Sequence, residues 1–243
     1  ACSVQFDLAT ANGIPVISLD SGNEYKGIQC IVKTDNEDAA RTGAYKLANE
    51  IGDEGQVILV VHDSNSETAK ERAKSFEEEI KNNYPSVSIV ETIYCDKLDD
   101  LKKKIAVEKD PNMSEDLQKA AVEKMTDDEV MQYYLKKYPD LKGVFGTNES
   151  STIFALEALQ KTELAGKVAL VGFDISEEQT AAMKNGEISG LVVQNPFGMG
   201  YASVVAAART VLQSGNEAVV DTGYIWVTKD NLEDESIQNM LYK

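Results

Sequence analysis

The chain has 243 residues, 41 acidic against 24 basic side chains, a formal charge of −17, one histidine and three cysteines. With 42% apolar residues it can build the core of one large domain or two small ones, which excludes a disordered chain. The acidic excess argues against nucleic-acid contact, which needs clustered Lys and Arg, and the longest apolar runs, Val57 to Val61 and Val204 to Ala208, fall far short of the ~20 residues of a membrane span.

In chain order, Gly and Pro punctuation separates short apolar runs from longer amphipathic ones, the pattern of parallel sheets with crossover helices, and the fold class is α/β. Ile14 to Leu19 follows a helix stop at Asn12-Gly13 and reads as a buried strand ending at Asp20. Asp35 to Ile51 reads as a helix capped by Asp35, with Ala40, Ala44, Leu47, Ala48 and Ile51 near helical spacing. Gln56 to Val61 is the next strand, followed by a helix over Ser66 to Asn82 with Ser64 and Glu67 spaced as a capping box, then a strand over Val87 to Tyr94. Strands follow at Val144 to Gly146, Val168 to Phe173 and Ser189 to Val193, with helices at Ser150 to Gln160 and Glu177 to Lys184 between them. A long helix over Phe197 to Ser214, an extended segment at Tyr224 to Thr228 and a short terminal helix complete the chain.

The stretch from Lys97 to Tyr138 is helix-forming and heavily charged, interrupted at Asp110-Pro111. A βαβ crossover needs one helix, so this stretch reads as an insertion forming a solvated helical pair. Asp110, Asn112, Ser114 and Asp116 alternate as oxygen ligands, but Glu115 stands where an EF-hand loop needs glycine, so calcium is not expected. Cys2, Cys30 and Cys95 are odd in number and lack CxxC spacing, so neither a disulfide framework nor a zinc site is expected, and Cys2 reads as an ordinary thiol.

In an open parallel sheet, ligands bind beyond the carboxyl ends of the strands. Those positions read Asp20 and Ser21; His62, Asp63 and Asn65; Thr147 and Asn148; Asp174; and Gln194 and Asn195. Helix capping explains part of this pattern, and a polar ligand ringed by hydrogen-bonding groups explains it more fully. Arg72 lies on the apolar stripe of Ala69, Ala73, Phe76 and Ile80, where a charge needs a partner, and its side chain leans toward the same strand ends. It is either in a salt bridge with a cleft carboxylate such as Asp174 or a fork for vicinal ligand oxygens. His62-Asp63-Ser64 holds the residue types of a hydrolytic triad, yet neighbours along a loop rarely converge, and a loop histidine beside a cleft is the preferred reading. No GxGxxG, Walker loop, GxSxG elbow or metal-spaced cluster occurs. Asp, Asn, Gln and Arg without a nucleophile or metal suit a neutral polyhydroxylated ligand, a sugar or polyol.

Gly13-Ile-Pro-Val-Ile-Ser-Leu-Asp20, Thr34-Asp35-Asn36 with Ala39, Ala40 and Gly43, Glu71-Arg72, Phe145-Gly-Thr-Asn148, Val171-Gly-Phe-Asp174 and Gln194-Asn-Pro together resemble the periplasmic-type sugar-binding proteins of ABC importers, the ribose- and galactose-binding group. The effector domains of LacI-type repressors share that fold. The resemblance implies two Rossmann-like lobes closing around one monosaccharide, with ligand contacts at Asp20, Arg72, Asn148, Asp174 and Gln194. Ser21, His62, Asn65 and Tyr94 are possible additional cleft groups, and Asp35 and Asn36 fall at the first crossover as hinge residues. It also implies an N-terminal lobe represented by residues 1–33 and 195–222 and a C-terminal lobe of 34–194 and 223–243, with the helical insertion at about 97–138. Family chains begin earlier, so the resemblance implies an incomplete first lobe and weak sugar binding by this chain alone. Ser21 stands where members often carry Arg, and the Gly52-Asp-Glu-Gly55 turn replaces the galactose-type calcium loop, so no metal and no cofactor are implied.

The expected function is therefore an extracytoplasmic sugar-binding protein, in the periplasm or as a cell-surface lipoprotein, that delivers a monosaccharide or polyol to an ABC transporter permease and is not an enzyme. The alternatives are a LacI-type effector domain, a sensor-linked sugar receptor and a small hydrolase using Ser64 with His62.

Overall fold

A computed structural model describes residues 3–22 and 25–238; the reading of Cys2 lies outside them. The chain opens with helix α1 (Ser3–Ala11), which ends as Gly13 takes a left-handed φ of 68°. Strands β1 (Val16–Leu19) and β2 (Ile28–Lys33) follow, and then α2 (Asn36–Glu50), capped by Asp35, whose side chain accepts from the Asp38 N–H. The middle of the chain holds β3 (Gly55–Val61), α3 (Glu67–Asn83), β4 (Val87–Tyr94), α4 (Leu98–Lys109), α5 (Glu115–Lys124), α6 (Asp127–Lys137), β5 (Leu141–Gly146), α7 (Glu149–Lys161), β6 (Ala169–Phe173), α8 (Glu177–Lys184) and β7 (Gly190–Gln194). The last elements are α9 (Pro196–Val211), β8 (Val219–Asp221), β9 (Tyr224–Val227) and α10 (Glu235–Gln238).

The strands form two sheets, one of three strands in the order β1-β2-β8 and one of six in the order β4-β3-β5-β6-β7-β9. All pairings are parallel except β7 with β9. The chain passes between the sheets from Lys33 to Asn36, from Gln194 to Pro196 and from Asp221 to Tyr224.

The continuous apolar run of β3 has a simple cause. Ile58 and Val60 enter one core with residues of α4, α6, α7 and α8, whereas Val57, Leu59 and Val61 enter a second core with α2 and α3. A strand covered on both faces has no polar side to alternate with. β5 divides in the same way, Val144 to the first core and Phe145 to the second. Phe145 stacks on Phe76 with centroids 4.3 Å apart and meets Phe173 edge-on at 5.9 Å. α2 crosses closely here because residue 43 is glycine: a Cβ on Gly43 would lie 2.4 Å from Phe145 Cε2.

Two expectations need correction. The solvated helical pair is three helices, and α4 and α6 bury Ile105, Val130, Met131, Tyr134 and Leu135 in the core. Dense charge on their outer faces hides an apolar stripe at 130, 131, 134 and 135. The cap of α3 is Ser66 rather than Ser64: Ser66 Oγ accepts from the Ala69 N–H at 3.3 Å, while Ser64 Oγ donates to Asp96. Strands β2 and β8 were not anticipated.

Candidate functional site

Two aspartates mark the carboxyl edges of the two sheets. Asp20 follows β1 and Asp174 follows β6, with left-handed φ values of 67° and 62°. Asp tolerates this region because its short side chain bonds locally. Their backbone N–H groups extend the strand pairing, Asp20 to the Val32 carbonyl at 2.8 Å and Asp174 to the Val192 carbonyl at 2.9 Å. Both aspartates line one cavity of about 520 Å³, together with Glu149 and Gln194 and the apolar side chains of Leu19, Ile175, Pro196 and Met199. This volume accommodates a small ligand. The segment after β1 also approaches α3 closely, since a Cβ on Gly22 would lie 2.6 Å from Glu67 Oε2.

Asp174 is held from two sides: Oδ1 accepts from Gln194 Nε2 at 2.7 Å and Oδ2 from the Glu149 N–H at 3.3 Å, at the start of α7. Gln194 Oε1 is buried and has no hydrogen-bond partner among the described residues. An unpaired buried acceptor is costly, and a donor placed in the cavity would relieve it. Asn148 caps α7, its Oδ1 accepting from the Ser151 N–H at 2.9 Å and from Ser150 Oγ at 3.0 Å, so Nδ2 is the group it can offer a ligand.

Arg72 is buried, with 3% of its surface exposed. Its Nε donates to Asn36 Oδ1 and its Nη1 to the Thr147 carbonyl, each at 2.8 Å. The guanidinium lies 4.2 Å from the centroid of the Phe173 ring. Burial pushes its pKa down, opposed by the nearby negative charges of Asp174, Asp20 and Glu71. Two of its donors thus fix the guanidinium from the protein side. Asn36 is spent on the same group, its Nδ2 donating to Glu71 Oε2 at 2.8 Å. Asp35 donates its N–H to Asp221 Oδ1 at 3.0 Å.

His62 shares Thr147 with Arg72. Its Nδ1 lies 2.8 Å from Thr147 Oγ1, which also accepts the His62 N–H, and its Nε2 lies 3.3 Å from Ser66 Oγ. Burial first, then the Arg72 charge, lowers its pKa from 6.5 against the opposing pull of Asp63, Asp174 and Asp20. Ser64, its supposed triad partner, instead donates to Asp96 Oδ2 at 2.8 Å. Asn65 donates to the same Asp96 oxygen at 3.3 Å, and Tyr94, whose pKa is raised by burial, lies near Glu77 and Asp96. The structure therefore groups Asn65 and Tyr94 with Asp96. Ser21 turns the chain after Asp20, its N–H donating to the Leu19 carbonyl and its own carbonyl accepting from Ser18 Oγ.

Glu149 and Met199 line the cavity and were missed by sequence reasoning; each lies inside a helix start, one and four residues past a capping asparagine. Among the described residues no group of three or more His, Cys, Asp or Glu is placed to hold a metal, and no helix is long and apolar enough to cross a membrane.

The fold agrees with comparisons to known proteins. The profile of the family described as periplasmic binding protein domain matches residues 5–216. The ribose import binding protein of Bacillus subtilis is 24% identical over 208 residues, which is 85% of this chain and 58% of that protein. Its counterpart from Haemophilus influenzae is 24% identical over 213 residues, 88% of this chain and 63% of that protein. This chain thus spans less than two thirds of these relatives. A carbohydrate transporter solute-binding protein from Agrobacterium radiobacter, solved with D-arabinose, superposes with a TM-score of 0.78 at 27% identity, over 97% of this chain and 73% of that one. An ABC transporter solute-binding protein from Agrobacterium vitis, solved with D-fucose, gives 0.78 at 25% identity, over 98% and 74%. The chain belongs to the periplasmic binding protein domain family.

Proposed function

We propose that the protein carrying this chain is an extracytoplasmic sugar-binding protein of an ABC importer, taking one monosaccharide or polyol at the cavity between Asp20 and Asp174. The observation that carries this reading is the buried, unpartnered Gln194 Oε1 beside an Asp174 carboxylate already oriented by two donors. A sugar hydroxyl donates to such an acceptor and accepts from a neighbouring N–H with one oxygen, so vicinal hydroxyls match an alternating set of carboxylates and amides. The apolar wall of Leu19, Pro196 and Met199 suits the C–H face of a pyranose or furanose. Asp20, Asp174 and Gln194 line this cavity and are proposed contacts; Arg72 and Asn148 do not line it and are proposed contacts at the adjoining strand ends, Arg72 through its Phe173-stacked, pre-oriented guanidinium.

The ligands of the similar proteins, ribose for the import binding protein and D-arabinose and D-fucose in the two solved structures, support this class. In this reading residues 34–194 and 223–243 act as one lobe and residues 1–33 and 195–222 contribute to the other. Asp35 and Asn36 lie at the hinge, and closure presents the loaded protein to a permease. The site works by binding, not catalysis: the hydroxyl and imidazole of Ser64 and His62 are engaged by different partners. A lipid anchor at the cell surface is one way such a protein is retained outside the cytoplasm.

The test is calorimetric titration of the natural protein carrying this sequence with a panel of aldopentoses, aldohexoses and polyols. Saturable one-to-one binding is expected, lost in Asp174→Ala and in Arg72→Ala. No binding across the panel, or unchanged affinity in both variants, overturns the assignment.

A further inference from the structure

Glu71 is adjacent in sequence to Arg72, yet the two side chains leave α3 in different directions. Arg72 turns into the core, and Glu71 faces the connection between the sheets. Each oxygen of Glu71 has its own partner. Oε1 takes Lys33 Nζ at 2.6 Å, and Oε2 takes Asn36 Nδ2 at 2.8 Å. Lys33 is the last residue of β2 and pairs with Asp221 of β8, so it belongs to the three-stranded sheet, whereas α3 packs on the six-stranded one. Lys33–Glu71 therefore ties one sheet to the other. Both side chains are only 18% exposed, which shields the pair from solvent screening.

Asn36 transmits the tie. Its amide has one orientation that satisfies both neighbours, Nδ2 toward the Glu71 carboxylate and Oδ1 toward Arg72 Nε; the flipped amide would set oxygen against carboxylate and NH₂ against guanidinium. The chain of bonds Lys33, Glu71, Asn36, Arg72 and Thr147 thus runs from the inter-sheet connection to the strand-end site. A cavity of about 240 Å³ lined by Lys33, Asn36, Glu71 and Asp221 lies beside the ion pair at this connection.

We propose that Glu71 is a positioning residue that couples the arrangement of the two sheets to Arg72, with Lys33 as its anchor and Asn36 as its relay. This rests on the sugar-binding reading for its consequence: ligand affinity at Arg72 and the relative setting of the sheets are linked, and linkage is reciprocal. Releasing Lys33, which touches no proposed ligand contact, then weakens sugar binding.

The test has a sugar-free arm and a sugar arm. This sequence has three arginines, Arg41, Arg72 and Arg209, and Arg72→Lys assigns the Arg72 peak in the side-chain Nε–H region of a ¹⁵N NMR spectrum. In the ligand-free protein, Lys33→Met and Glu71→Gln should each move that peak, and Lys33→Arg should restore it. Lys102→Met, which breaks the Lys102–Asp127 pair of α4 and α6, should leave it in place. In titrations, Lys33→Met should weaken sugar binding by about fivefold or more, and in an Asn36→Ala background the same substitution should add nothing. An Arg72 peak unmoved by Lys33→Met, or an affinity loss that persists in Asn36→Ala, overturns the coupling. A lowered unfolding temperature with neither change also overturns it, by showing a pair that only stabilises. If the natural protein binds no sugar, the function proposed above falls, while the NMR arm still decides the positioning.

Discussion

The two sheets of this protein are built to different standards. In the six-stranded sheet, every residue from Val57 to Val61 of β3 is buried, and two large cores cover its two faces. Among the described residues the three-stranded sheet has a small buried core of Cys30, Val32, Met199 and Ala206, with Ile17, Ala202 and Val220 packed against it, while Leu19 and Val219 on its edge strands are half exposed. The helices differ in the same way. α2 and α3 each bury a full apolar stripe, but α1 buries nothing, and α9 leaves Phe197, Tyr201, Val204 and Val211 exposed along one side. Parallel strands are stable when helices cover both faces, so the six-stranded sheet sets the stability of the chain and the three-stranded sheet contributes mainly Asp20 and Lys33.

The comparison is broken most severely at the centre of the second core. Phe145→Ala removes a ring stacked on Phe76 and crossed by Phe173; it should cost about 3–5 kcal/mol in urea unfolding. Val60→Ala, one strand away in the opposite core, should cost about 1.5–3 kcal/mol. Overpacking the same region has a smaller effect of the same sign. A Cβ on Gly146 would lie 2.7 Å from the Thr152 Cα, backbone that cannot swing aside. Gly146→Ala should therefore push α7 away from β5 and cost ~1–3 kcal/mol. If either core substitution proves nearly neutral, stability does not reside where the burial places it.

This contrast also explains what the sequence revealed. β3, β6 and β7 were readable because burial on both faces makes a strand nearly uniformly apolar, and the edge strand β4 because of its β-branched residues. Arg72 was readable because a charge interrupted an otherwise apolar helix stripe, and it is indeed buried among core residues. The strand-end groups Asp20, Asp174 and Gln194 followed from the strands. β2 and β8 did not, because Gln29, Lys33 and Asp221 break their patterns and their strand character comes from pairing with distant segments. The tie from Lys33 to Glu71 joins residues 38 apart on different sheets, and no local pattern announces it. α6 was hidden for a third reason, since its flanking acids and lysines look like a solvated surface until the helix is placed on the sheet.

His62 sharpens the comparison from the site side. Its pKa is lowered from 6.5 by burial and then by Arg72, so the unfolded chain binds the proton more tightly than the folded one. The stabilisation is present above pH 6.5 and is lost as pH falls from there toward the lower folded value. Urea midpoints measured at about pH 7.5 and about pH 5.5 should fall more in the natural sequence than in His62→Gln. Equal falls would mean that the imidazole is not desolvated against Thr147 and Arg72.

The smallest effect belongs to the edge of the other sheet. Val219 opens β8 and is 47% exposed, against complete burial of Val60. Its strand is held to β2 by backbone bonds, among them the Ile31 N–H to the Ala218 carbonyl at 2.9 Å and the Thr222 N–H to the Lys33 carbonyl at 3.0 Å, which a side-chain truncation does not touch. Val219→Ala therefore removes little buried apolar area and should change stability by no more than about 0.5 kcal/mol. The same substitution at Val60 isolates the difference between the sheets, because residue type and atoms removed are identical and only the cover differs. A loss at Val219 as large as that at Val60 would mean that the face of the three-stranded sheet is covered in solution, and the comparison would have to be redrawn around whatever covers it.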